Sequence, residues 1–203
     1  MAKKAKGVDN RSAYKRAQSS KHYNIVRPLL DRYGIKVRKW MDYDTDTVYW
    51  ADFDSHTVVL PIPDCDWSLY ICLHEIGHLV KGSRSYTYLH EYHAEQYALS
   101  KLEKLEVKGL SAMTKSGKKY VMHNVLQDMI FYDLNPNSVR REVRAWLGVT
   151  PKRLRTLALR RCTMIMKKLL TDHSAVPFGK ISRDDKEIVK QRKQEIYEIE
   201  PNN

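Results

Sequence analysis

The chain has 203 residues, enough for one compact domain of about 110–170 residues with tails or a small appendix. Charged residues make up 30% and the hydrophobic class 42%, the balance of a globular protein in water, and no stretch approaches the roughly 18 consecutive apolar residues of a membrane span. The formal charge of +12 is uneven: residues 1–21 carry seven Lys/Arg against one acid, residues 22–137 thirteen against fifteen, and residues 138–203 sixteen against eight, so the two ends suit an anionic partner and the middle does not.

Met1-Ala2-Lys3-Lys4-Ala5-Lys6 is basic, but no apolar core follows, so no secretory signal is expected. Residues 1–21 lack apolar periodicity and read as a mobile basic tail. Tyr23 to Tyr33 reads as a short helix: Ile25, Leu29 and Tyr33 recur at i, i+4, Gly34 marks the stop, and Pro28 puts the start near Asn24 or Arg27. Three strands follow. Ile35 to Trp40 alternates apolar and basic residues, Thr47 to Phe53 is aromatic and β-branched, and Thr57 to Leu60 is a short apolar run. Asp54-Ser55-His56 suits a hairpin turn, and Pro61 and Pro63 close the last strand.

Asp66 reads as the N-cap of a helix running to about Lys81. Gly82 to Ser85 breaks it, and a second helix runs from about Tyr88 to Leu105. Residues 107–118 read as a loop punctuated by Gly109 and Gly117. Helices are expected again over Lys119–Tyr132, Ser138–Leu147 and Lys152–Leu170, and Ser182–Glu198 suits an isolated helix. Cys65, Cys72 and Cys162 are too few and too scattered for a disulfide framework or a zinc knuckle. They read as buried small hydrophobes in a reducing, cytoplasmic setting. The expected fold is α+β: a small antiparallel sheet packed on helices, with a mostly helical second half.

The chemistry lies in His74-Glu75-Ile76-Gly77-His78. Residues four apart share one face of a helix, so two imidazoles can take two corners of a tetrahedral zinc site. Glu75, between them, can reach a water at the metal without being a ligand and act as general base and then general acid. The run lies in an apolar helix, where polar side chains need partners and a metal supplies them. Gly77 hints at close backbone packing. A third protein ligand is needed. Glu91 is favoured because Glu91 and Glu95 are i, i+4 partners and Ala94 and Ala98 beside them would let the helices approach. Glu95 would then orient a histidine from behind. His90 and His93 remain alternatives for the third position, with Glu95 after them.

His74-Glu75-Ile76-Gly77-His78 followed by Glu91-Tyr92-His93-Ala94-Glu95-Gln96-Tyr97-Ala98 resembles the signature of the ImmA/IrrE family of zinc metallopeptidases. That signature reads HE[LI]GH, then a helix of the form E-x-x-A-[ND]-x-[FY]-A; Glu95 stands where the family has Asn or Asp. The SprT-like peptidases are similar in the HExxH helix but use a third His, and the general shape is also similar to that of small phage-encoded proteins. The resemblance covers residues 22–106. It implies a gluzincin-type site with one zinc, His74, His78 and Glu91 as ligands and Glu75 as catalytic acid/base. The chain then divides into a tail (1–21), a zincin-like metallopeptidase domain (22–135), a basic helical segment (136–175) and a polar tail or helix (176–203).

Thr57 to Leu60, just before the metal helix, is placed to align an extended peptide substrate through its main chain. Tyr86, Tyr88, Tyr92 and His123 are candidates to stabilise an oxyanion. Residues 138–170 hold Arg140, Arg141, Arg144, Lys152, Arg153, Arg155, Arg160 and Arg161 on two helices joined by Leu147-Gly148-Val149-Thr150-Pro151, the outline of a helix-turn-helix. Nucleic acid is thus a candidate partner for this segment and the N-terminal tail, beside a protein or peptide substrate, while no membrane partner is expected. The leading expectation is a zinc endopeptidase. The alternative is a DNA-binding or regulatory protein with a structural metal and no proteolysis.

Overall fold

A computed structural model describes residues 10–45, 47–82, 87–171 and 183–198. The chain divides into two compact units, Met1–Ser85 with Leu89–Gly117, and Tyr86–Tyr88 with Lys118–Asn203. The architecture is α+β, with eight helices and one three-stranded sheet among the described residues. None of these helices is long and apolar enough to cross a membrane.

The first unit opens with α1 (Asn10–Gln18) and α2 (Tyr23–Tyr33). The expected mobile tail is therefore corrected over residues 10–18: Ala13 and Ala17 are buried in the core, and Arg16 pairs with Asp42. Residues 1–9 lie outside the described residues. α2 starts at Tyr23, with Pro28 inside it, and stops at Gly34, whose φ of 64° is the left-handed conformation that glycine adopts without a Cβ penalty. β1 (Lys36–Met41), β2 (Trp50–Asp52) and β3 (Thr57–Pro61) follow. The hairpin turn forms as expected, with Asp52 accepting from Asp54 N at 3.0 Å and Ser55 Oγ at 2.6 Å.

The sheet is mixed rather than wholly antiparallel. Its order is β1-β3-β2, with β3 parallel to β1 and antiparallel to β2. After β1 the chain resumes as β2 two strand positions away, and the hairpin then returns β3 into the gap between them. This also corrects the expectation that Thr57 to Leu60 receives a substrate strand. β3 has a partner on each side, so its main-chain groups are already spent, and the edges are β1 and β2.

α3 (Asp66–Lys81) packs on β3. Its N-cap is Cys65, not Asp66: Cys65 Sγ accepts from Ser68 N at 3.5 Å, while Ser68 Oγ accepts from Cys65 N at 3.0 Å. Asp66 instead meets His22 at 2.9 Å and Lys21 at 3.3 Å. Of the three thiols, Cys72 and Cys162 are buried and Cys65 is half-buried. Leu69, Leu73 and Ile76 of α3 join Val26 and Leu30 of α2, Trp40 of β1, and Val58 and Leu60 of β3 in one core. α4 (Thr87–Lys104) follows, then α5 (Leu110–Phe131). α5 begins inside the expected 107–118 loop, because Met113 inserts into the core and Gly117 is helical rather than a break.

In the second unit, Val121, Val125, Met129 and Ile130 of α5 are buried, as are Val143 of α6 (Arg141–Leu147) and Leu154, Ala158, Cys162 and Ile165 of α7 (Pro151–Thr171). α8 (Arg183–Glu198) packs on α7 and buries Val189, so it is not isolated. Tyr88 is buried here: its N–H donates to Asp128 Oδ2 at 2.8 Å, and its hydroxyl accepts from Arg140 N at 3.3 Å.

Candidate metal centre

α3 presents His74 and His78 one turn apart, with ring centroids 4.7 Å apart and planes at 87°. Their Nε2 atoms are separated by 3.1 Å. Glu91 of α4 places Oε2 3.2 Å from His74 Nε2 and 3.4 Å from His78 Nε2. His74, His78 and Glu91 are the group among the described residues that could hold a metal ion. Two ring nitrogens at this separation cannot both carry a hydrogen, since both would point into one gap. At least one lone pair therefore faces the other nitrogen and the carboxylate oxygen, and a shared cation relieves that arrangement.

The helix contact that permits this is tight. A Cβ on Gly77 would stand 3.0 Å from both Cα and O of Ala94. Ala94 and Ala98 are fully buried, as the small-residue pattern indicates. A larger side chain at 77 or 94 would hold α4 away from α3 and carry Glu91 out of reach.

Behind His74 stands Glu95, only 2% exposed. Its Oε1 lies 3.2 Å from His74 Nδ1, and the Tyr70 hydroxyl is 2.7 Å from both of its oxygens. A carboxylate at Nδ1 keeps a proton on that nitrogen, so Nε2 is the ring atom left to meet a cation beside Glu91 and His78. Tyr70 escaped the sequence reading, although its position one turn before His74 puts it on the same helix face. Gly117 escaped it too. A Cβ there would lie 2.3 Å from Glu95 Oε2, so glycine lets α5 pass the carboxylate without displacing it.

Burial and charge act against each other in the cluster. Burial disfavours the His74 cation, but Glu91 and Glu95 outweigh it and raise its pKa to about 10. Burial likewise opposes charge on Glu91, but His74 and His78 pull its pKa down to about 2. The carboxylates thus favour positive charge at His74, the role a metal ion would take. Glu75, 7% exposed, has its pKa raised, chiefly by burial.

The other candidates have contacts of their own. His90 meets Phe53 edge to face at 5.7 Å, and His93 stacks obliquely with Tyr92 at 5.4 Å. Neither joins the three-donor group. Tyr88 is committed to Asp128 and Arg140, and His123 Nδ1 lies 3.3 Å from Arg161. Tyr86 lies outside the described residues. No protein-family model, curated protein or solved structure matches the chain.

Proposed function

We propose that this chain is a zinc-dependent endopeptidase of ImmA/IrrE type, with His74, His78 and Glu91 as ligands and Glu75 as general acid/base. The observation that carries the reading is the spacing of the three donor atoms. A tetrahedron with about 2.0–2.1 Å from centre to corner, the bond length of zinc to nitrogen or oxygen, has an edge of about 3.3–3.4 Å. The separations of 3.1, 3.2 and 3.4 Å fall within about 0.2 Å of that edge. Three protein donors leave a fourth corner for chemistry.

Zinc held there would supply a Lewis acid that polarises a peptide carbonyl and acidifies a water. His74 must give up its Nε2 proton to bind it, and Glu95 holds the remaining proton on Nδ1. Glu75, raised by burial, is a stronger base than a carboxylate in water. It takes the proton of the attacking water and passes it to the leaving amine. With β3 enclosed, an extended substrate would pair along an edge strand, β1 or β2.

The test is Glu75→Gln. Metal analysis should find one zinc per chain in both proteins. Cleavage of an unfolded protein substrate should fall at least about 100-fold in the variant. Cleavage at the parent rate would remove Glu75 from the mechanism, and a parent chain that takes up no zinc would remove the reading altogether.

A further inference from the structure

The second unit carries an element that the metal centre does not use. α6 is seven residues long and ends at Gly148, whose φ is 70°. Gly148 N donates to Ala145 O at 3.2 Å and Val149 N to Arg144 O at 3.0 Å, which closes the end of α6. Thr150 Oγ1 accepts from Arg153 N at 3.2 Å, and Pro151 opens α7. The two helices are therefore joined by a short turn fixed at both ends. Val143 of α6 and Leu154 and Ala158 of α7 are fully buried.

The outward side of α7 has a different chemistry. Lys152, Thr156 and Arg160 follow at i, i+4 and i+8, with Arg153 beside them, opposite the buried Leu154, Ala158 and Ile165. Lys152, Arg153 and Arg160 are exposed, and Arg140 and Arg141 are exposed at the start of α6. From residue 140 to 161 there are eight Lys/Arg and one acid, Glu142, which sits 3.7 Å from Arg140.

We propose that the α6–turn–α7 element docks on duplex DNA, with the Lys152–Arg160 face of α7 in the major groove and Arg140 and Arg141 on flanking phosphates. A helix about 10–12 Å across fits a groove about 12 Å wide. The major groove of an RNA duplex is too deep and narrow for it. Between Lys152 and Arg160 this face holds no exposed aromatic or large aliphatic side chain, and Met164, 42% exposed, lies one turn beyond, whereas a protein interface would need its anchor at the centre. Phosphates supply the sequence-independent attraction, and arginines on the groove face can pair with base edges. The proposal does not depend on the peptidase reading.

The experiment selects ligands for the full chain from a pool of DNA duplexes with a randomised centre, then measures binding of the enriched duplex at several salt concentrations. A shared sequence should emerge, and log affinity should fall with log salt at a slope of about −4, from four or five phosphate contacts. Arg153→Gln and Arg160→Gln should each weaken binding about tenfold or more, and at least one should relax the selected sequence. Lys36→Gln and Lys104→Gln, exposed lysines of the first unit, should leave it unchanged. Circular dichroism of each variant checks that its helices persist. The proposal is overturned if no sequence is enriched, if the Lys36 and Lys104 variants lose as much affinity, if duplex or single-stranded RNA binds more tightly, or if polyglutamate displaces the duplex at equal charge.

Discussion

A Cβ at position 117 would lie 2.3 Å from Glu95 Oε2, and Glu95 is already fixed by Tyr70 and His74. Gly117→Ala therefore forces the carboxylate away from Nδ1 of the metal-site histidine. Alanine is the better helix former by about 1 kcal/mol, but overpacking a buried site costs about 1–3 kcal/mol. The variant should be less stable in urea, and its zinc affinity, read by competition with a chromophoric chelator, should fall about 10–100-fold. The same residues set a pH dependence in the metal-free protein. His74 is raised from 6.5 to about 10, so its contribution is complete below pH 6.5 and is lost as pH rises toward 10. Glu91 is lowered from 4.5 to about 2, so its contribution is complete above pH 4.5 and is lost as pH falls toward 2. Thermal melts of the metal-free chain should place the cluster's full contribution between pH 4.5 and 6.5. Zinc must displace the His74 proton, so zinc uptake should release protons and weaken as pH falls.

At the scale of elements, the α3–α4 contact governs the centre. Gly77→Ala would set a methyl 3.0 Å from the Ala94 backbone, which cannot turn aside as a side chain could. It should lower stability by about 1–3 kcal/mol in urea and weaken zinc binding, even though alanine favours the helix. α3 and α4 were legible in the sequence to within a residue or two, because their ends carry a polar cap, glycine or a break in periodicity. The grouping of His74, His78 and Glu91 was legible for the same reason: i, i+4 spacing on two neighbouring helices leaves few other choices. Other features are not written locally. α1 is held by Ala13 and Ala17, which are too small to make an apolar stripe visible. Gly117 has the look of a loop residue, and its reason lies 22 positions away at Glu95. The parallel pairing of β1 with β3 follows from where the 42–49 segment leads, which no strand records in its own residues. Tyr70 shares a helix face with His74, but its partner Glu95 is 25 residues on.

At the scale of the whole molecule, chemistry and charge fall in different units. His74, His78, Glu91 and Glu95 all belong to the first, and the basic run from Arg140 to Arg161 belongs to the second. An ion that binds only the folded site stabilises the elements that supply its ligands. Removing zinc with a chelator should therefore speed amide hydrogen exchange in α3 and α4 and leave α6 and α7 little changed; uniform acceleration would contradict a metal confined to the first unit. β3 is the most apolar strand of the sheet and would be the most adhesive if left open at one side. Enclosed by its neighbours, it leaves only β2, three residues long, and β1, with Lys36, Arg38 and Lys39 exposed, at the rim. A short edge and a lysine- and arginine-bearing edge are poor templates for strand stacking, so crowding should not draw copies of this chain into fibrils while the sheet stays folded.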